Sequence, residues 1–235
     1  MSTKPFKIQI PTQIVRSSKF TSGEFILLAK ILQAYYSQPG KEKPLTFTID
    51  HKAFMYYLFF KDNNTFKKNI NGLHEKKVIE NKIDSLPRKG GLEITLNKLV
   101  IPEFNKERGY FTQLPYFVLN REVIEAVGHV GVRLLYYYRS YINAKDSLKQ
   151  YCFVAETTTA GHLNITEKTV IKYNKFLKKQ RFIKIEQHKL HDTGAHDPEN
   201  GDKLIFTKYN NHYFLRLENI EKFCEEYRSL LAQNV

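Results

Sequence analysis

From Thr21 to Ser37 the chain reads TSGEFILLAKILQAYYS, with Leu27, Leu28, Ile31, Ala34 and Tyr35 at helical spacing behind Thr21 and Glu24, which stand at capping-box spacing. The stripe returns 107 residues later as Leu134, Leu135, Tyr138, Tyr141 and Ile142. Downstream, TFKKNINGLHEKKVI from Thr65 and TVIKYNKFLKKQRFI from Thr169 align without a gap at an offset of 104, matching Thr65 with Thr169, Lys68 with Lys172, Leu73 with Leu177 and Ile79 with Ile183. This is the pattern of a module present twice, although helix patterning alone can produce four such matches.

Each of these helices is followed by two strand-like runs. VIENKI and LEITL flank DSLPRKGG, and FIKIEQHKL and LIFTKY flank the polar loop HDTGAHDPENGDK. Between stripe and lysine-bearing helix lies one short helix in each half: DHKAFMYYLFF with Asp50 as N-cap, and TTTAGHL with Thr157 or Thr158 in that role. FKIQI alternates like a strand. Lys4, Lys7, Arg16 and Lys19 around it make either a basic arm or the margin of an edge strand. LENIEKFCEEYRSLLAQ places Leu217, Ile220, Phe223, Cys224, Tyr227, Leu230 and Leu231 on one stripe and glutamates outside it, which suits packing on the second module or pairing with another subunit. The expected architecture is mainly α with small β wings: a first domain over 1–100, a linker over 101–116 and a second domain over 117–235.

The order helix, short helix, turn, basic helix, two-stranded wing is that of a winged helix-turn-helix. Residues 131–185 resemble the winged helix-turn-helix domains of phage and plasmid replication-initiation proteins and of DnaD-like primosomal proteins, through VRLLYYYRSYI, FVAETTTAGHLNITEKTVIKYNKFLKKQRFI and IKIEQ. The first half joins the resemblance only through the internal repeat. In that family the third helix enters the DNA major groove and the wing touches flanking phosphates, so the resemblance implies double-stranded DNA as partner.

Helical geometry says which residues would do this. Val170, Tyr173 and Leu177 share the face that packs inward, and Lys168, Lys172, Lys175 and Lys179 line the opposite one, with Thr169 near the helix start. A solvated face usually mixes in glutamate at i,i+4, and this one does not. Such a stripe can follow a phosphate backbone, while the helix start approaches base edges. In the first half Phe66, Ile70, Leu73 and Lys77 share a face, leaving Asn64, Lys68, Asn71 and Glu75 opposite and Thr65 and Lys67 at the sides. Asparagine can pair with adenine and lysine with guanine or phosphate, but an ordinary amphipathic helix would look similar. Arg88 and Lys89 in the first wing and Lys189 in the second are the expected phosphate contacts at the wing tips.

Charge agrees with this reading. Lys and Arg number 37 against 24 Asp and Glu, for a formal net charge of +13, and both halves are basic. A field of that sign favours polyanions, with plain solubility as the bland alternative. The longest apolar run, Ala53 to Phe60, has eight residues where a membrane span needs about twenty, and the first residues lack a basic-then-apolar leader. Cys152 and Cys224 lack a CxxC partner and read as thiols of a reducing compartment. The expected setting is cytoplasmic and nucleoid-associated, without membrane.

No GxxxxGK[ST], HExxH, GxSxG or HxH motif occurs, so the chain is read as a non-enzyme without cofactor, and Tyr56 and Tyr57 are assigned to the core. His188, His191, Asp192, His196 and Asp197 have the right atoms for zinc but match no established spacing, and no metal is assigned. The leading functional expectation is an origin-binding replication initiator of a plasmid or phage. The alternatives are a transcriptional regulator such as a repressor, or a chain using one of its winged helices to contact proteins. A second copy and replication proteins are the candidate further partners.

Overall fold

The computed structural model describes residues 5–40, 42–101, 110–143, 149–198, 201 and 203–233. Chain order is β1 (Lys7–Pro11), α1 (Thr12–Val15), α2 (Ser22–Tyr36), β2 (Thr46–Ile49), α3 (His51–Leu58), α4 (Asn63–Glu75) and β3 (Leu92–Thr95) in the first half. The second half follows with β4 (Phe111–Pro115), α5 (Arg121–Tyr141), α6 (Glu156–Leu163), α7 (Glu167–Lys179), β5 (Ile183–Asp197), β6 (Lys203–Leu215) and α8 (Leu217–Gln233). The fold is thus mixed α and β, with helices dominating and the described strands in antiparallel pairs: β1 with β4, β2 with β3, and β5 with β6.

The β1–β4 ribbon joins a strand of the first half to one of the second. Its register pairs Lys7 with Pro115, Gln9 with Gln113 and Pro11 with Phe111, so it is symmetric about the Gln9–Gln113 pair, whose members stand 104 residues apart. That is the offset already seen between α4 and α7. Lys77 and Arg181, just past α4 and α7, also differ by 104 and both have positive φ (56° and 58°). Phe59 and Asn164, which end α3 and α6 at 54° and 52°, differ by 105. Left-handed conformations are uncommon outside glycine, so their recurrence at one offset marks equivalent turns. The centre of the ribbon thus falls on two residues separated by the same 104 positions as the turns after α4 and α7.

Residues 110–116 were expected as linker. Within them Phe111–Pro115 forms β4, which pairs with β1, and the chain then runs into a 3-10 turn over Tyr116–Leu119 whose Phe117, Val118 and Leu119 are buried. The strand alternation of FKIQI is realised, with Ile8 and Ile10 fully buried. One continuous apolar core runs through both halves, in which Phe25 of α2 meets Tyr136 of α5 edge-on at 5.5 Å between ring centres.

α5 is the hub. Three consecutive tyrosines, all fully buried, reach three ways: Tyr136 to Phe25, Tyr137 to His162 of α6 (2.8 Å), and Tyr138 onto Tyr213 of β6, stacked at 4.3 Å. Gly128 breaks α5 with φ +66° and ψ 174°, and a Cβ there would lie 3.2 Å from the Tyr173 ring. The residue is glycine because both the backbone angle and the close approach of α7 require it.

Arg133, also on α5, is 1% exposed and donates to the carbonyls of Ser17 (2.7 Å), Phe20 (2.7 Å) and Leu163 (3.2 Å). It therefore ties the approach to α2 to the turn before α7. Glu24 completes the predicted capping box with Thr21 and also pairs with Lys76, at the end of α4, at 2.7 Å. Gly72 leaves room for it, since a Cβ there would sit 2.0 Å from Glu24 Oε1.

Several local expectations change. β2 was not anticipated, and it replaces VIENKI as partner of LEITL. Only an isolated bridge, Ile79 to Leu96, remains of the expected first strand, and the Asn81 amide takes over beyond it, accepting from Thr95 N and donating to Glu93 O. α6 is capped by Ala155 and begins at Glu156, ahead of Thr157 and Thr158. Asp50 caps α3 as expected, accepting from Ala53 N at 3.0 Å. Tyr56 and Tyr57 are 60% and 44% exposed, contrary to their assignment to the core, because α3 turns Phe54 and Leu58 inward instead. The polar stretch after His188 is largely strand, with register shifts between Lys189 and His196, where a loop was expected. α8 packs on its own chain through Ile220 and Cys224, while Leu230 and Leu231 stay exposed. No helix among the described residues is long and apolar enough to cross a membrane.

Candidate nucleic-acid interface

α7 starts where the Thr166 side chain accepts from Thr169 N (3.2 Å), and it buries Val170, Asn174 and Leu177. Asn174 is the one polar residue on that face. It accepts from the Tyr138 hydroxyl at 2.7 Å and donates to Glu156 at 3.1 Å, so it fixes the rotation of α7 against α5 and α6. A buried amide with both ends satisfied is specific about orientation. Tyr173, expected on the inward face, is half-buried beside Gly128.

That rotation turns Lys168, Lys172, Lys175 and Lys179 outward, and all four are exposed. None has a hydrogen-bond or ion-pair partner among the described residues. Lys178 is exposed beside them, as its place in the KK pair would have allowed one to read. Phe176 is 39% exposed, edge-on to Tyr173 at 5.5 Å, with Lys172 Nζ 5.7 Å from its ring centre. The start of the helix is less open than expected, because the Thr169 hydroxyl bonds that of Thr166 at 2.8 Å and Glu167 adds an exposed acid.

α4 presents the equivalent positions differently. Asn64 and Lys68, which match Lys168 and Lys172, are exposed, and their side chains have no hydrogen-bond or ion-pair partner among the described residues. Thr65 gives both its N–H (2.7 Å) and its hydroxyl (2.9 Å) to Asp62, and these bonds hold the Asp62 carboxyl below its ordinary pKa, so an anion sits at the start of α4. Asn71, placed among base-reading candidates by sequence, is closed on the wing instead: its amide donates to Ile83 O and accepts from Ile83 N, both at 2.9 Å. Lys67 donates to the Asp84 carbonyl, and Lys52 reaches the Arg88 carbonyl. The first wing thus folds back over part of the face that α7 leaves open. Lys77, expected on the inward face of α4, is exposed in the turn beyond its end.

Asn71→Ala should therefore lower stability, by about 2 kcal/mol for two lost bonds to a partly buried backbone, with no change in preference among DNA sequences. Denaturant unfolding and binding to a small duplex panel check the two halves of that statement. Altered sequence preference in a fully folded variant would return Asn71 to the reading set.

At the wing tips, Arg88 and Lys89 are exposed next to Gly91, where a Cβ would fall 2.0 Å from Thr48 Cγ2. Lys189 is exposed on β5, on a hairpin whose strands run 15 and 13 residues. His188, His191, Asp192, His196 and Asp197 are strung along β5, with the His188 ring stacked on His212 at 4.9 Å. Among the described residues no three His, Cys, Asp or Glu side chains converge as metal ligands. In comparisons with known proteins, no family profile and no curated sequence matches the chain.

Proposed function

We propose that the chain is a double-stranded DNA-binding protein of two linked winged helix-turn-helix modules, serving as an origin-binding replication initiator of a plasmid or phage. The observation that carries the DNA reading is the outward stripe of Lys168, Lys172, Lys175 and Lys179, exposed and unpaired among the described residues on a helix whose rotation is fixed from behind. Cations along one helix face neutralise successive phosphates and release their counterions, and Phe176 beside them can meet a thymine methyl. Lys189 on the long hairpin adds backbone contact at the flank.

In this reading the two halves are copies of one module, which the common offset of 104 at the ribbon and at the turns after α4 and α7 supports, so the chain carries two linked readers. Two linked readers raise one another's effective concentration on a compound site. The initiator role follows the resemblance of residues 131–185, with transcriptional regulation as its rival. A second reading concerns the first half alone: with Asn71 and Lys67 held by the wing, α4 offers only Asn64 and Lys68, which favours protein docking by that module.

The test is selection of bound duplexes from fragments of the source genome, with affinity measured across salt. Enrichment of one locus by the full chain, with affinity falling steeply as salt rises, is the expected result. Enrichment at an origin supports initiation, and enrichment at promoters supports the regulator. Failure to bind any duplex at low ionic strength would sink the proposal.

A further inference from the structure

Away from α7, a cleft of about 640 Å³ opens between α1, β4 and the end of α5. Its walls come from both halves: Thr12 and Arg16 from the first, Tyr110, Thr112 and Arg139 from the second, with Phe153 at the margin. Two guanidinium groups line it, and none of its described lining residues is acidic.

Arg16 is fixed before any ligand arrives. Its Nε donates to Ser140 Oγ at 2.9 Å, a second nitrogen reaches the Ser140 carbonyl, and the guanidinium lies 3.6 Å from the centre of the Tyr141 ring. The rest of its donor fork remains for an acceptor. Arg139 is half-buried and has no hydrogen-bond or ion-pair partner among the described residues. Burial depresses its pKa, as expected of a cation partly withdrawn from water. A partly desolvated, unpaired guanidinium is costly unless an anion completes it.

The other walls narrow the chemistry. Tyr110 is 90% exposed and Phe153 54% exposed, and both residues line the same cleft as the two guanidinium groups. Thr12 and Thr112 add hydroxyls 2.9 Å apart. Inorganic phosphate would use the cations and leave the rings idle, whereas a base stacks on such rings and its phosphates suit the arginine forks. The volume falls within the range of small-molecule sites. We propose that this cleft binds a free nucleoside polyphosphate, with its phosphates on Arg16 and Arg139 and its base against Tyr110 and Phe153. Because both halves supply walls, occupancy ties α1 of the first to β4 and α5 of the second, independently of DNA.

Isothermal titration of the full chain with ATP and with GTP tests this, with adenosine, inorganic pyrophosphate and a short single-stranded oligonucleotide as separate arms. The expected result is one saturable site for at least one nucleotide, with weaker binding of adenosine and pyrophosphate. Arg139→Gln should weaken it about tenfold or more, as expected for a lost charge-assisted contact, with partial recovery in Arg139→Lys. Phe153→Ala, at an exposed position that leaves the core intact, should weaken it through the base alone and leave pyrophosphate binding unchanged. The proposal is overturned if neither nucleotide binds saturably, if Arg139→Gln and Phe153→Ala, folded by circular dichroism, bind like the parent, or if only the oligonucleotide binds.

Discussion

Replacing Lys172 and Lys175 together with alanine should lower duplex affinity roughly thirtyfold at about 0.15 M salt and reduce the slope of log affinity against log salt by about two. Both side chains are exposed and unpaired among the described residues, so the fold loses little, within about 0.5 kcal/mol for each surface change. The loss should be nearly uniform across sequences, because a lysine on a phosphate carries no base information. Fluorescence anisotropy over a salt series separates this from a merely solvated face. A folded double variant with the parent slope would remove α7 from the interface.

Arg133→Met should destabilise the chain by about 3 to 5 kcal/mol, a shift in melting temperature on the order of 10 °C for a chain of this size. Methionine approximates the length of the side chain but leaves the buried carbonyls of Phe20 and Leu163, and that of Ser17 beside them, without their donor. This is not removal of an ordinary ion pair, which hydrophobic residues can often replace at little cost. Arg133 meets backbone oxygens in both halves, and Glu24 attracts it without a direct bond. Arg133→Lys should recover only part of the loss, since one ammonium cannot reproduce the spread of the fork. A Met variant melting within a degree or two of the parent would show that water or neighbouring donors serve those carbonyls.

The helices were legible because they obey local rules. The capping box at Thr21 and Glu24, the Asp50 cap and the apolar stripes needed no distant partner to be recognised. The lysine stripe was visible for the same reason, since helical angle alone sets Lys168, Lys172, Lys175 and Lys179 apart from Val170 and Leu177. What could not be read depends on tertiary partners. Thr46–Ile49 is a four-residue strand whose identity comes from β3, and Asn81 imitates a strand with its side chain. Asn71 looked free until the wing closed on it. Tyr136 and Tyr137 fell off the predicted stripe because a single amphipathic stripe assumes one buried face, and α5 is surrounded. Arg133, a charge in a core position, defeats any rule that sorts residues by polarity.

The ribbon of β1 and β4 also sets the order in which the molecule can be completed. β1 is made before its partner strand, which exists only once the chain has passed Pro115. Until then the nascent first half carries an open strand edge. Closure over so long a loop is slow, and so the interval in which a chaperone or a neighbouring ribosome's product can reach that edge is written into the topology itself.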